Sequence, residues 1–167
     1  EIGTCKAKFT NFISLLFPNA KIYTIDVVKD TVPYKPNASK QQKISFFENR
    51  DKNLNKNNII FKNLHSIHIG KEFSENSFDI IWIDGDHLYP QVAIDIFQSI
   101  KLAKKNSIIC VDDIIIGDYK TAGHNNDSYK CLTYFENMNL IKNYYINKRA
   151  RKRNFNEKKY ISYGIVN

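Results

Sequence analysis

Two short apolar runs, each stopping abruptly at acidic residues and separated by a helix-length segment, constrain this chain more than any other feature. The first is Phe78-Asp-Ile-Ile-Trp-Ile-Asp-Gly-Asp-His87 and the second is Ser107-Ile-Ile-Cys-Val-Asp-Asp-Ile114. Apolar runs of this length read as buried strands. Between them Val92, Ile96, Ile100 and Ala103 recur at helical spacing and Pro90 suits a first turn. Lys101, Lys104 and Lys105 gather at the far end, where they complement the helix dipole. A strand, helix, strand order predicts parallel strands joined by a right-handed crossover, with ligands bound outside the carboxyl ends. Asp84, Asp86, Asp112 and Asp113 should therefore share one edge.

A chain of 167 residues with 43% hydrophobic and 13% aromatic content has enough apolar surface for a single domain over residues 1–167. The balance of 25 Lys and Arg against 17 Asp and Glu leaves a net charge of +8, which permits an anionic partner without requiring one. Cys5, Cys110 and Cys131 form no CxxC and leave an odd count, so reduced thiols and a cytoplasmic setting are expected. No apolar run approaches a membrane span and no signal peptide is visible, so no membrane partner is expected. Oligomeric state is left open.

Residues 8–17 place Phe9, Phe12, Ile13, Leu16 and Phe17 on one face and predict a helix with that face apolar. Residues 21–27 alternate and finish on Asp26, as an acid-tipped strand would. Residues 29–43 are polar and carry Pro33 and Pro36, and a short helix is predicted over 44–49. A third strand is predicted over 58–63, a loop with one helical turn within 64–77, a polar loop over 117–127 and a helix over 128–138. Residues 141–147 and 159–166 flank a basic segment and predict an antiparallel hairpin.

Glu1-Ile-Gly-Thr-Cys-Lys-Ala7, directly before a helix, is similar to the E-x-G-x-G-x-G opening of class I S-adenosylmethionine-dependent methyltransferases. Asp26 lies where that family keeps its ribose-binding acid. Leu64-His-Ser66 is placed like the family's G-D-S, and residues 78–87 resemble its F-D-x-x-F-I-D-G-D-H. Val111-Asp-Asp-Ile114 then matches the end of the next strand, so the resemblance covers nearly the whole chain. Its closest form is the subgroup of small methyltransferases related to metal-dependent O-methyltransferases. The resemblance implies an α/β, Rossmann-like fold with a mostly parallel sheet and a C-terminal antiparallel hairpin. Glu1 would be the last residue of the central first strand, whose body is then largely missing, so the chain is expected to be an N-terminally truncated fragment.

The same resemblance implies S-adenosylmethionine as cofactor, with Glu1, Gly3, Thr4, Asp26, His65, Ser66 and Asp84 as the binding residues. Gly3 would let the backbone approach it, the following helix N-terminus would face its methionine carboxylate, and Asp26 would accept both ribose hydroxyls. Asp84, Asp112 and Asp113 match the family's metal-ligating positions and would hold a divalent cation, with oxygen-only ligands suiting Mg²⁺. His87, three residues after Asp84, is the candidate general base, so His87 and Asp84 form the catalytic pair. Cys5 and Ala7 depart from the motif's second and third glycines, and His65 from an acid near the adenine.

Simpler readings stand beside these. Asp86 and His87 could cap the next helix, and Asp112 and Asp113 could bind cofactor or loop backbone without metal. Lys148-Arg-Ala-Arg-Lys-Arg153 could contact phosphates, although a solvated hairpin tip is favoured because no stacking platform accompanies it. The expected activity is methyl transfer to a hydroxyl oxygen of a small molecule or sugar. The alternatives are a catalytically degenerate scaffold or nucleic-acid adaptor, and a dinucleotide-binding oxidoreductase, against which the paired acid-tipped strands speak.

Overall fold

The computed structural model describes residues 1–27, 37–116, 126–148 and 159–167. The chain divides into two compact units, Glu1–Ser66 and Ile67–Asn167. In the first, β1 (Ile22–Asp26) pairs in parallel with β2 (Ile59–Asn63), in a register running from Ile22↔Ile59 to Asp26↔Asn63. Successive backbone groups of a strand point to opposite edges. The even-numbered residues of β1 serve β2, and the odd-numbered ones turn to residues 1–3. The Glu1 amine donates to the Tyr23 carbonyl at 2.7 Å, Ile25 N donates to the Glu1 carbonyl at 3.0 Å, and Gly3 N donates to the Ile25 carbonyl at 3.0 Å. Residues 1–3 thus lie parallel along β1, with Ile2 bridged to Ile25.

The helix α1 (Lys8–Leu16) forms where predicted, but it is not the aromatic face that it buries. Thr10 and Ser14 are buried, whereas Phe12, Leu15, Leu16 and Phe17 are about half exposed or more. The reason is polar. Thr10 donates its hydroxyl to the Glu1 carboxylate, Thr24 donates to the same oxygen at 2.7 Å, and Thr4 and Thr24 share a hydrogen bond at 2.7 Å. A partly buried carboxylate favours such donors, and small hydroxyl side chains supply them while letting helix and strand approach closely.

The helix α2 (Lys40–Leu54) starts earlier and ends later than the short helix expected over 44–49. Its beginning is a capping box that the polar composition disguised: Gln42 N donates to Ser39 Oγ, and Ser39 N donates to Gln42 Oε1 at 3.0 Å. Further along, the Arg50 guanidinium lies 4.8 Å from the Phe47 ring and 5.0 Å from the Phe61 ring, which ties α2 to β2 by paired cation–π contacts.

The second unit begins with a 3-10 turn at its border (Ser66–His68) and the short α3 (Ile69–Glu72), then β3 (Phe78–Ile83) and α4 (Gln91–Leu102). It continues through β4 (Ala103–Ile115), α5 (Asp127–Asn137), β5 (Ile141–Lys148) and β6 (Lys159–Val166). The strand order is β3-β4-β6-β5, parallel between β3 and β4 and antiparallel beyond. The predicted strand, helix, strand unit and terminal hairpin are both present, and the α/β class is as expected. The sequence pattern extended this helix over Ala103, Lys104 and Lys105, but α4 stops at Leu102 and the chain passes directly into β4. There Lys104 Nζ meets Asp79 Oδ1 of β3 at 2.7 Å.

β4 is the buried spine of this unit. Ile109, Val111, Ile114 and Ile115 are at most 1% exposed, and Val92 and Ile96 of α4 are fully buried. Each such side chain contributes roughly 1.5–3 kcal/mol relative to exposure. β6 lies inside β5 and accommodates this with small residues, Ser162 and Gly164.

A Cβ on Gly164 would stand 2.6 Å from Ile141 Cγ1 and 2.9 Å from Asn143 Oδ1, both on β5. Gly164→Ala is therefore expected to destabilise the protein by about 1–3 kcal/mol through overpacking. Urea denaturation with an unchanged slope and a lowered midpoint is the measurement.

Candidate active site

In the first unit the residues resembling a cofactor cradle sit at the carboxyl ends of β1 and β2. Gly3, Cys5 and Ala7 have φ of 96°, 46° and 54°. These are the three glycine positions of the motif, and all three keep the left-handed backbone although only one keeps glycine. Holding an L-residue there costs roughly 1–2 kcal/mol, so the surroundings must enforce it. They do so through Asp26 at Cys5, and through backbone carbonyls at Gly3 and Ala7. Cys5 N donates to Asp26 Oδ2 at 2.7 Å, Val27 N donates to Oδ1 at 2.8 Å, and Ala7 N donates to the Thr4 carbonyl at 2.6 Å. A carboxylate accepts about four hydrogen bonds, which leaves Asp26 capacity for two ligand hydroxyls.

The remaining residues of this unit divide by role. Thr4 is buried on Thr24, and the Glu1 carboxylate is taken up by Thr10 and Thr24, so both support the turn from within. Leu64 N donates to the Asp26 carbonyl at 3.1 Å, which puts exposed His65 and half-buried Ser66 just past the strand end that bears Asp26.

In the second unit Asp84 directly follows β3. The register Ile83↔Val111 places Asp84 and Asp112 one residue further along neighbouring parallel strands, as predicted. His87 Nε2 lies 3.5 Å from Asp84 Oδ1, and its Nδ1 is buried with no hydrogen-bond partner among the described residues. Neither Asp86 nor His87 caps α4, whose N-cap is Pro90. Instead Asp86 Oδ1 accepts from Leu88 N at 3.0 Å, and the loop is tied to α5 by Ser128 Oγ donating to the His87 carbonyl at 3.2 Å.

The Asp112–Asp113 pair occupies a β-bulge. Val111↔Ser162 and Ile114↔Tyr160 leave one extra residue in β4, and Asp113 has φ 51°. Two neighbours in a regular strand would face opposite sides, whereas here both reach the same lysine. Lys148 Nζ lies 2.7 Å from Asp112 Oδ1, 2.7 Å from Asp112 Oδ2 and 2.9 Å from Asp113 Oδ1. Lys159 Nζ lies 2.7 Å from Asp113 Oδ2. Burial alone would push the Asp113 carboxyl up, but hydrogen bonds from Lys159 and Lys148 and their charges outweigh it and bring it down to about 2.

This arrangement does not fit the divalent cation implied by the resemblance. All four oxygens of the pair already face ammonium groups, and among the described residues no group of three or more His, Cys, Asp and Glu could hold a metal. The two lysines were not visible as site residues in the sequence. Lys148 stood there only as the first member of a basic run, whose remainder lies outside the described residues.

Two outcomes follow from these geometries. Cys5 is exposed, so Cys5→Gly removes backbone strain while losing little packing, and a gain of about 0.5–1 kcal/mol in thermal denaturation is expected after allowing for glycine's unfolded-state entropy. Asp113 has a folded value of about 2 against an ordinary 3.8, so its contribution is present above about pH 4 and lost as pH falls towards 2. Asp113→Asn should be less stable than the parent at neutral pH and lose less of its stability between pH 4 and 2 in acid titrations followed by circular dichroism.

Comparison with known proteins agrees with this picture at the level of fold and family. The chain is similar to cofactor-bound Rv0187 from MTB, with TM-score 0.72 and 15% identity over 99% of this chain and 70% of that one. It is similar to the O-methyltransferase from Bacillus cereus in complex with SAH, with TM-score 0.68 and 13% identity over 99% and 72%. It is also similar to the O-methyltransferase TomG from Streptomyces achromogenes in complex with SAM, with TM-score 0.65 and 15% identity over 99% and 70%. No curated protein matches the sequence. The family model described as "Methyltransferase domain" matches residues 1–114, which span the glycine turn, Asp26 and both acid-tipped strands. The chain therefore belongs to this methyltransferase domain family, within the class I S-adenosylmethionine-dependent methyltransferases.

Proposed function

We propose that this chain transfers the methyl group of S-adenosylmethionine to a hydroxyl oxygen of a small molecule or sugar. The observation that carries the cofactor half is the left-handed backbone at Gly3, Cys5 and Ala7, tied to Asp26 at Cys5. In this reading the turn approaches the methionine end of the cofactor, Asp26 accepts its ribose hydroxyls, and Ser66 and His65 lie towards its base. The names of the neighbours that are O-methyltransferases support oxygen as the acceptor atom.

His87 is the proposed general base. Its Nδ1 is buried, so Nε2 is the nitrogen that would take the proton, and Asp84 Oδ1 at 3.5 Å would stabilise the imidazolium that forms. The acceptor oxygen attacks the methyl carbon, the carbon–sulfur bond breaks, the sulfur keeps the electron pair as a neutral thioether, and the hydroxyl proton passes to His87. No step is routed through a metal, because the Asp112–Asp113 pair is neutralised by lysines.

The partner in this reading is a small-molecule acceptor rather than nucleic acid or membrane. Among the described residues no helix is long and apolar enough to cross a membrane. We place the protein in the cytoplasm, in keeping with three free cysteines, of which burial pushes the Cys110 thiol up to about 11 and so keeps it unreactive.

Isothermal titration with S-adenosylmethionine tests the reading: binding is expected, Asp26→Ala should weaken it roughly 10- to 100-fold, and no binding at all would leave the scaffold alternative. With an accepted substrate, His87→Ala should lower kcat by about 10²–10⁴-fold with little change in cofactor affinity.

A further inference from the structure

The acid pair at the end of β4 is enclosed by opposite charge. Lys148 and Lys159 are cross-strand partners on β5 and β6, and two like charges directly opposite one another repel. They are nevertheless drawn together beside Asp112 and Asp113, and the four groups sum to zero charge. An ammonium has three donors, and all three of Lys148 are used on Asp112 Oδ1, Asp112 Oδ2 and Asp113 Oδ1. The bulge at Asp113 is what makes this possible, because it turns the second carboxylate onto the side of the first. The pair is only partly open to water, with Asp112 12% and Asp113 25% exposed, so its charge must be balanced locally.

We infer that Lys148 is a built-in cation: its ammonium, backed by Lys159, takes the place between Asp112 and Asp113 that a divalent metal would need. A metal ion such as Mg²⁺ requires carboxylate oxygens at about 2.0–2.1 Å and would have to displace an ammonium that already contacts three of the four. It would then lie beside two unpaired lysines, where repulsion opposes it. Burial tends to lower the Lys148 ammonium, but hydrogen bonds to Asp112 and Asp113 and their charges raise it, so the cation is permanent at neutral pH. The consequence for catalysis rests on the methyl-transfer reading: acceptors that bind by chelating a metal through paired oxygens are disfavoured, and those presenting a single hydroxyl are favoured.

Mn²⁺ is a suitable probe, since carboxylate ligands accept it and its free form gives a paramagnetic resonance signal. The whole protein should leave the free Mn²⁺ signal unchanged, and any methyl-transfer activity should be unaffected by EDTA. The Lys148→Met/Lys159→Met protein should take up Mn²⁺ at least about tenfold more tightly, and adding Asp112→Asn should abolish that gain. Uptake of Mn²⁺ by the unaltered protein that disappears in Asp112→Asn would overturn the inference, as would a folded double variant with no gain. If the double variant does not fold, Lys148→Met alone frees Asp112 while Lys159 still holds Asp113, and the same two outcomes apply. Failure of the enzyme reading is seen separately, as absence of S-adenosylmethionine binding, and leaves the Mn²⁺ result standing.

Discussion

A strand paired on both edges leaves a carboxylate in its buried half little access to water, and β4 carries two such carboxylates. Hydrogen-bonded to β3 on one side and β6 on the other, it carries Asp112 and Asp113 between the buried Val111 and Ile114. Those carboxylates face a choice set by electrostatics: reach bulk water, bind a cation, or find cations within the chain. The bulge at Asp112–Asp113 and the lysines at the mouth of the β5–β6 hairpin settle it in favour of the chain. The position of the hairpin follows, because β6 must lie next to β4 for Lys159 to reach Asp113.

The first unit is organised around a different polar requirement. Its strained turn is held in shape by Asp26 above and by the threonines beneath, with Thr4, Thr10 and Thr24 gathered around the Glu1 carboxylate. Backbone in the left-handed region at Cys5 and Ala7 persists because these contacts over-determine it. The same network explains α1, since a helix that brings hydroxyls to the partly buried Glu1 carboxylate cannot also bury its phenylalanines on that side.

Fold and chemistry separate at the acid pair. A Rossmann-like arrangement hosts many reactions, and its specificity lies in the side chains at the strand ends. Here His87 stays beside Asp84, while the next acids are held by lysines. The position of an acid within a motif therefore did not by itself determine its partner.

Much of this was legible in the sequence. The helical spacing of Val92 and Ile96, the acids closing two apolar runs and the alternation before Asp26 are local patterns, and local patterns report secondary structure and strand direction directly. The glycine-turn resemblance, which names residues 1–7 by type and order, likewise survived the loss of two glycines because the backbone, not the side chain, carries the shape. What the sequence could not show were contacts between distant segments. Lys148 meets an acid 36 positions earlier, Lys159 one 46 positions earlier, and Thr10 closes on Glu1 and Thr24 rather than on neighbours in its helix. Charge balance and burial are properties of the groups that surround a site in space, so the strands were determined by the order of residues along the chain, and the occupant of the acid pair only by the order of strands across the sheet.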